Sequence, residues 1–191
     1  MSLSQRLARL ILAASGWKLL EGPPLPARAV LLGYPHTSNW DLVTTLLALA
    51  ALGITPRWAG KDTMFRGWRG PIMRSLGGIP VNRRERTGFV DRMAQEISAH
   101  EKANENFLVA VAPEGTRALA PGWKSGFYRI ALAAQVPVVA GVADYRRKEI
   151  GILAVLTLSG DEDADMARIE QLYHGREGCR PANKSPIRLL K

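Results

Sequence analysis

Four short, nearly continuous apolar runs, separated by stretches of helical period, hold this chain to an alternating strand–helix architecture. Residues 29–32 (AVLL), 106–112 (NFLVAVA), 136–142 (VPVVAGV) and 152–158 (ILAVLTL) are too short for buried helices and carry the composition of strands covered on both faces. Shorter strand-like pieces lie at 57–59 (RWA) and 79–81 (IPV). Between them, helices are expected at 40–52, 71–76, 88–102, 124–135 and 163–173. Gly53 with Pro56, the Gly77-Gly78 pair and Gly175 act as stop signals. Within 88–102, Phe89, Met93 and Ile97 recur four apart, the spacing of one helical face. The expected fold class is therefore α/β, a single domain with a mixed, mostly parallel sheet flanked by helices on both sides.

The N-terminus adds an amphipathic helix. Leu3, Leu7, Leu10, Ile11, Ala14 and Trp17 recur at three- and four-residue steps, flanked by Arg6, Arg9 and Lys18, until Pro23, Pro24 and Pro26 end it. A basic helix of this kind either lies in a membrane interface or packs on its own domain. No stretch approaches the roughly 18 apolar residues of a membrane span. Residues 42–54 form the longest apolar run, and it contains Thr44 and Thr45. The apolar core near the N-terminus is too short for a signal peptide. The expected organisation is an N-terminal helix over 1–22, a main domain over 27–175 and a polar tail over 176–191.

Charge narrows the partners. The chain has 26 Lys and Arg against 17 Asp and Glu, a net +9 in 191 residues, and a pI near 10.2. Such a surface suits nucleic acid, an anionic membrane or a phosphorylated substrate. No RNP, KH or zinc pattern supports nucleic acid. The lone Cys179 rules out an internal disulfide, and His36, His100 and His174 are too scattered to suggest a metal site.

Three segments carry candidate chemistry. The first is PHTSNWD, residues 35–41. A His is the usual general base near neutral pH, and a carboxylate can hold its second ring nitrogen. On a regular helix five residues advance about 500°, which leaves His36 and Asp41 roughly 140° apart. They meet only if His36 sits in a loop and Asp41 in the first turn of the next helix. Pro35, with Ser38 and Asn39 as capping residues, suits that turn. The second is PEGTR, residues 113–117, directly after a buried strand, where ligands of α/β sheets bind. Gly115 permits close backbone approach and Arg117 can grip an anion bidentately. The third is GGIPVNRRER, residues 77–86, a strand opening into arginines.

Taken together, these segments resemble the lysophospholipid acyltransferases, the family that includes 1-acyl-glycerol-3-phosphate acyltransferases. Four blocks stand in the family's order: His36 to Asp41 as the His-x4-Asp block, GGIPVNR ending at Arg83, Glu114-Gly115-Thr116-Arg117, and the apolar Val136-Pro137-Val138-Val139. Lys61 falls where the family often has a Lys. Pro35 and Asn82 depart from the family's usual Asn and Asp.

The resemblance implies a glycerolipid acyltransferase-like fold and an O-acyltransferase. Its substrates would be an acyl thioester, acyl-CoA or acyl-carrier protein, and a lysophospholipid hydroxyl, 1-acyl-glycerol-3-phosphate giving phosphatidic acid. No permanently bound cofactor or metal is expected. His36 would be the general base and Asp41 its partner. Arg83 and Arg117 would hold the acceptor phosphate, Glu114 a glycerol hydroxyl or an Arg, and Lys61, Gly115 and Thr116 would complete the substrate site. Leu42 and Leu46 would line an acyl-chain channel, or pack as core. The expected location is cytoplasmic, peripheral on the inner face of the cell membrane, at an anionic surface, with no nucleic-acid partner. Rival readings are a basic nucleic-acid-binding module, a lipid hydrolase using Ser38 with His36, and an inactive lipid-binding protein.

Overall fold

The computed structural model describes residues 1–81 and 86–190. In chain order the elements are α1 (Leu3–Ala14), β1 (Lys18–Leu20), β2 (Arg28–Tyr34), α2 (Trp40–Leu52), β3 (Arg57–Lys61), a 3₁₀ turn (Asp62–Phe65), α3 (Arg69–Ser75), β4 (Gly78–Val81), α4 (Arg86–Lys102), β5 (Phe107–Val111), α5 (Gly126–Ala133), β6 (Val138–Asp144), β7 (Glu149–Leu156), α6 (Glu162–Leu172) and a second 3₁₀ turn (Pro181–Asn183). The strands form one sheet in the order β1-β7-β6-β2-β5-β3-β4. Among the described residues the β6–β7 pairing alone is antiparallel. The expected mixed, mostly parallel α/β domain is thus the observed one.

Period-2 alternation distributes the apolar runs between two cores. Val30, Leu32, Val109, Val138 and Ala140 face α4, α5 and α6, where Met93, Ile97, Phe127, Ile130, Met166 and Ile169 cover them. Their neighbours Ala29, Leu31 and Val139 face the other way, onto Leu49 of α2. The same side is extended by Ala8 and Leu12 of α1 against Ala48 and Ala51 of α2. It also carries the 3₁₀ turn and α3: Trp58, in register with Ala110, packs on Phe65, and its indole N–H donates to the Leu76 carbonyl (2.8 Å). So α1, α2 and α3 cover one face and α4, α5 and α6 the other.

Three features are decided by the tertiary structure. β1 is a three-residue edge strand, too short to show a period, and exists through its pairing with β7. The apolar stripe of α1 does not face the domain: Leu3 is 83% exposed, and Leu7, Leu10 and Ile11 are exposed too. The small Ala8 face packs inward instead, because Ala48 and Ala51 permit close helix approach, and Arg9 Nε donates to the Ala51 carbonyl. Finally, the stretch from 176 to 190 is not a solvated tail. Leu189 bridges to Trp123, Leu190 N–H donates to the Trp123 carbonyl, and Ser185 is buried. Among the described residues no helix is long and apolar enough to cross a membrane.

Candidate active site

β2 and β5 are neighbouring parallel strands, so the loops after them leave the same edge of the sheet side by side. The β2 loop carries His36 and the β5 loop carries Glu114. His36 lies outside any helix and Asp41 in the first turn of α2, the arrangement that i, i+5 spacing demanded. His36 Nδ1 stands 3.4 Å from Asp41 Oδ2, with Asp41 buried and the His36 side chain partly exposed. With Nδ1 turned to the carboxylate, Nε2 is the ring nitrogen left to meet a substrate.

Of the two expected capping residues, Ser38 accepts the Trp40 N–H, whereas Asn39 occupies the N-cap position but makes no side-chain capping bond. Asp41 reaches back instead: its Oδ2 accepts the N–H groups of Thr37 (2.7 Å) and Ser38 (2.8 Å). A carboxylate at a helix N-terminus is also favoured by the helix dipole. Burial by itself would raise the Asp41 pKa. The His36 side chain, the Ser38 N–H and the Tyr145 hydroxyl outweigh it and hold the carboxyl below its usual range. Asp41 Oδ1 is buried without a hydrogen-bond partner among the described residues. Tyr145 therefore stands close enough to influence the carboxylate without completing a bond to Oδ1. Its hydroxyl lies 3.5 Å from Thr44 Oγ1, and its ring meets Trp17 edge-on at 4.9 Å. Tyr145 follows β6, about a hundred residues from Asp41, and no local spacing signals it.

Glu114 stands behind the histidine. It is 1% exposed, and both carboxylate oxygens are engaged: Oε2 accepts the His36 N–H (2.8 Å) and Oε1 the Ser185 N–H (3.1 Å). Burial raises its pKa, against these two donors. Ser185 is itself pinned, its carbonyl accepting from Tyr34 Oη (2.8 Å) and its Oγ from Ala120 N–H (3.1 Å). A few residues earlier, Arg180 N–H donates to Thr37 Oγ1 (3.0 Å). Gly178 lies so close that a Cβ there would sit 2.5 Å from the same Oγ1. The segment from 178 to 185 thus braces the His-Asp turn from behind.

The remaining residues spread along the same edge. Arg117 Nη1 donates to Asn39 Oδ1, which links the β5 loop to the start of α2. Gly115 has φ +63°, a left-handed conformation that favours glycine, and the Lys124 side chain lies over it. Thr116 Oγ1 accepts the Ala118 N–H (3.2 Å). Lys61 is exposed at the C-terminal end of β3, the strand beside β5. Leu42 and Leu46 are half-buried on α2, one and five positions after Asp41. Arg83 lies outside the described residues. Ser38 is 5% exposed and its Oγ accepts the Trp40 N–H (3.2 Å), a capping position rather than a nucleophile's. His36, Asp41, Glu114 and Arg117 are therefore gathered into one constellation through Asn39 and the turn, with Lys61 two loops along.

A family model described as Acyltransferase matches residues 22–143, more than half of the chain. Among solved structures, the 1-acyl-sn-glycerophosphate (LPA) acyltransferase PlsC from Thermotoga maritima superposes with a TM-score of 0.55 at 13% identity. The match covers 88% of this chain and 74% of that one, a likeness of fold. A search of curated proteins finds no significant match. With the family model matching well over half of its length, this chain belongs to the acyltransferase family.

Proposed function

We propose that this chain transfers a fatty acyl group from an acyl thioester, acyl-CoA or acyl-carrier protein, to the free hydroxyl of a lysophospholipid. The acceptor is 1-acyl-glycerol-3-phosphate and the product phosphatidic acid. The observation that carries this reading is the His36 Nδ1–Asp41 Oδ2 pair, set at the strand edge of a chain in the acyltransferase family. The name of the structurally similar PlsC, an LPA acyltransferase, supports the choice of acceptor.

Nε2 of His36 takes the proton of the acceptor hydroxyl as its oxygen forms the C–O bond to the thioester carbonyl. The tetrahedral intermediate collapses, the C–S bond breaks, and the imidazolium returns the proton to the leaving thiolate. Asp41 holds the tautomer and stabilises the imidazolium, help worth roughly 10²–10⁴-fold. Arg117 and Arg83, with Lys61, bind the acceptor's phosphate and so bring its hydroxyl to His36. Glu114 acts through the backbone, since both its oxygens already hold N–H groups of this chain. Leu42 and Leu46 line the acyl path where α2 leaves the site. The net +9 charge and the exposed leucines of α1 suit peripheral work on an anionic membrane, at its cytoplasmic face.

The test is an assay of purified protein with acyl-CoA or acyl-carrier protein and a panel of lysolipids, read by product mass. Wild type should form phosphatidic acid, and His36→Ala should lose at least about 10²-fold. Undiminished transfer by His36→Ala, or release of fatty acid with no acylated acceptor, would overturn the reading.

A further inference from the structure

The two faces of the sheet differ in what their helices show to solvent. Among the described residues, exposed large apolar side chains concentrate on α1, α2, α3 and their ends, whereas the helices of the opposite face contribute only Leu132. The leucines of α1 were legible as a stripe; α3 was not. Trp68, Ile72 and Leu76 fall four apart, on one face of α3, and all are exposed, Trp68 to 74%. Gly70 and Phe65 turn the other way, towards the sheet. Around this stripe the charge is basic. Residues 57–76 hold Arg57, Lys61, Arg66, Arg69 and Arg74 against Asp62 alone. Asp62 is paired with Arg66 (2.8 Å), and Arg69 lies over the Trp68 ring at 5.3 Å.

We infer that α3 is a second membrane contact: Trp68, Ile72 and Leu76 enter an anionic bilayer, with Arg69 at its headgroups. Together with α1 they seat the whole α1–α3 face on the membrane. A tryptophan with leucine-type neighbours and flanking arginines is the composition of an interfacial helix. Position adds to this. α1 packs beside β1 at one end of the sheet, and α3 beside β4 at the other. The exposed Trp40 and Val43 at the start of α2, beside Asp41, lie on the helix between them. One anchor leaves a domain free to swivel; two at opposite ends of one face fix which surface meets the bilayer. They raise binding by roughly 10²–10⁴-fold over either alone. That pose holds the His36 loop near the interface where a lysolipid resides. The inference rests on the acyltransferase reading for its purpose, not for its test.

The experiment is sedimentation of the full chain with phosphatidylcholine vesicles containing one quarter phosphatidylglycerol. Wild type is compared with Trp68→Ala/Ile72→Ser/Leu76→Ser and with Arg69→Glu. Both variants should bind at least about tenfold more weakly and keep wild-type kcat on a water-soluble short-chain lysolipid. Trp68→Ala alone, at a fully accessible position, serves if the triple variant does not fold. Vesicle binding within twofold of wild type in all three variants would overturn the inference. So would a wild-type dimer in sedimentation velocity that the triple variant abolishes, since the face would then bind a second copy. So would RNA binding that the arginine variant loses while vesicle binding persists. Vesicle binding lost as expected in a protein that transfers no acyl group would sink the enzymatic reading and leave this surface standing.

Discussion

At the scale of single residues, the site is a set of donors and acceptors arranged around two buried carboxylates. Asp41 has its Oδ2 filled and its Oδ1 buried without a bond among the described residues, with the Tyr145 hydroxyl beside it. That hydroxyl favours the carboxylate form. Tyr145→Phe removes it and keeps the ring against Trp17. The Asp41 pKa then rises, which an NMR titration of its carboxyl should show, with kcat down about three- to tenfold and thermal stability little changed. An unshifted Asp41 titration would make Tyr145 a packing residue only. Glu114→Gln tests the other carboxylate. Glutamine can accept from only one of the two N–H groups that Glu114 holds, and sets its own NH₂ against the second. The expected result is a kcat loss of at least tenfold, about 1.4 kcal/mol, with the Michaelis constant for the acceptor unchanged. A raised Michaelis constant at constant kcat would return Glu114 to direct substrate contact.

At the scale of elements, the segment from 178 to 185 joins the site although it lies about 140 residues beyond His36 in the sequence. It was expected as a polar tail because its composition is polar and lacks any period. Its ordering comes from single hydrogen bonds to Thr37, Glu114 and Tyr34, and such contacts leave no pattern in a sequence. Gly178→Ala places a methyl 2.5 Å from Thr37 Oγ1. The turn holding His36 must then shift, at a cost of about 1–3 kcal/mol, so unfolding in urea should come earlier and kcat should fall. Wild-type activity in Gly178→Ala would show that the brace is not needed. By contrast, α2 and its boundaries were readable directly. Asp41, the apolar run and Gly53, whose φ is +72°, are all local signals. α1 was readable as a helix but not in its orientation. A stripe of leucines and a pair of alanines both fit a packing face, and the partner helix chooses between them.

At the scale of the whole molecule, buried carboxylates set the acid limit of the fold. Asp165 is buried and, against that burial, is held below the usual 3.8 by the N–H groups of Ser159 and Gly160 and the hydroxyls of Tyr128 and Ser159. Asp41 is depressed in the same sense. A folded pKa below the unfolded 3.8 gives stability that is complete above 3.8 and is lost as pH falls through the folded value. Glu114, with a raised pKa, has the opposite sign and gains stability as pH falls. Urea unfolding across acid pH should therefore show wild type losing stability below about 3.8. Asp165→Asn should be less stable by about 1–3 kcal/mol at neutral pH and less steep in acid. Parallel curves for the two proteins would refute the assignment.

What the sequence determined alone were the properties carried by neighbours in the chain. These are the alternation of buried strands and helices, the His36–Asp41 turn whose spacing admits one local geometry, and the ordered blocks that mark the family. The tertiary structure decided everything that joins residues distant in sequence. It put Glu114 behind His36 rather than at its mouth, brought Tyr145 to Asp41, drew the C-terminal segment under the site, and turned the leucines of α1 and the Trp68 face of α3 outward. The physical reason is the same throughout. Periodicity and capping are local energies that a short window contains, whereas the partner of a buried donor or of an apolar face is fixed only when the sheet order brings distant segments into contact.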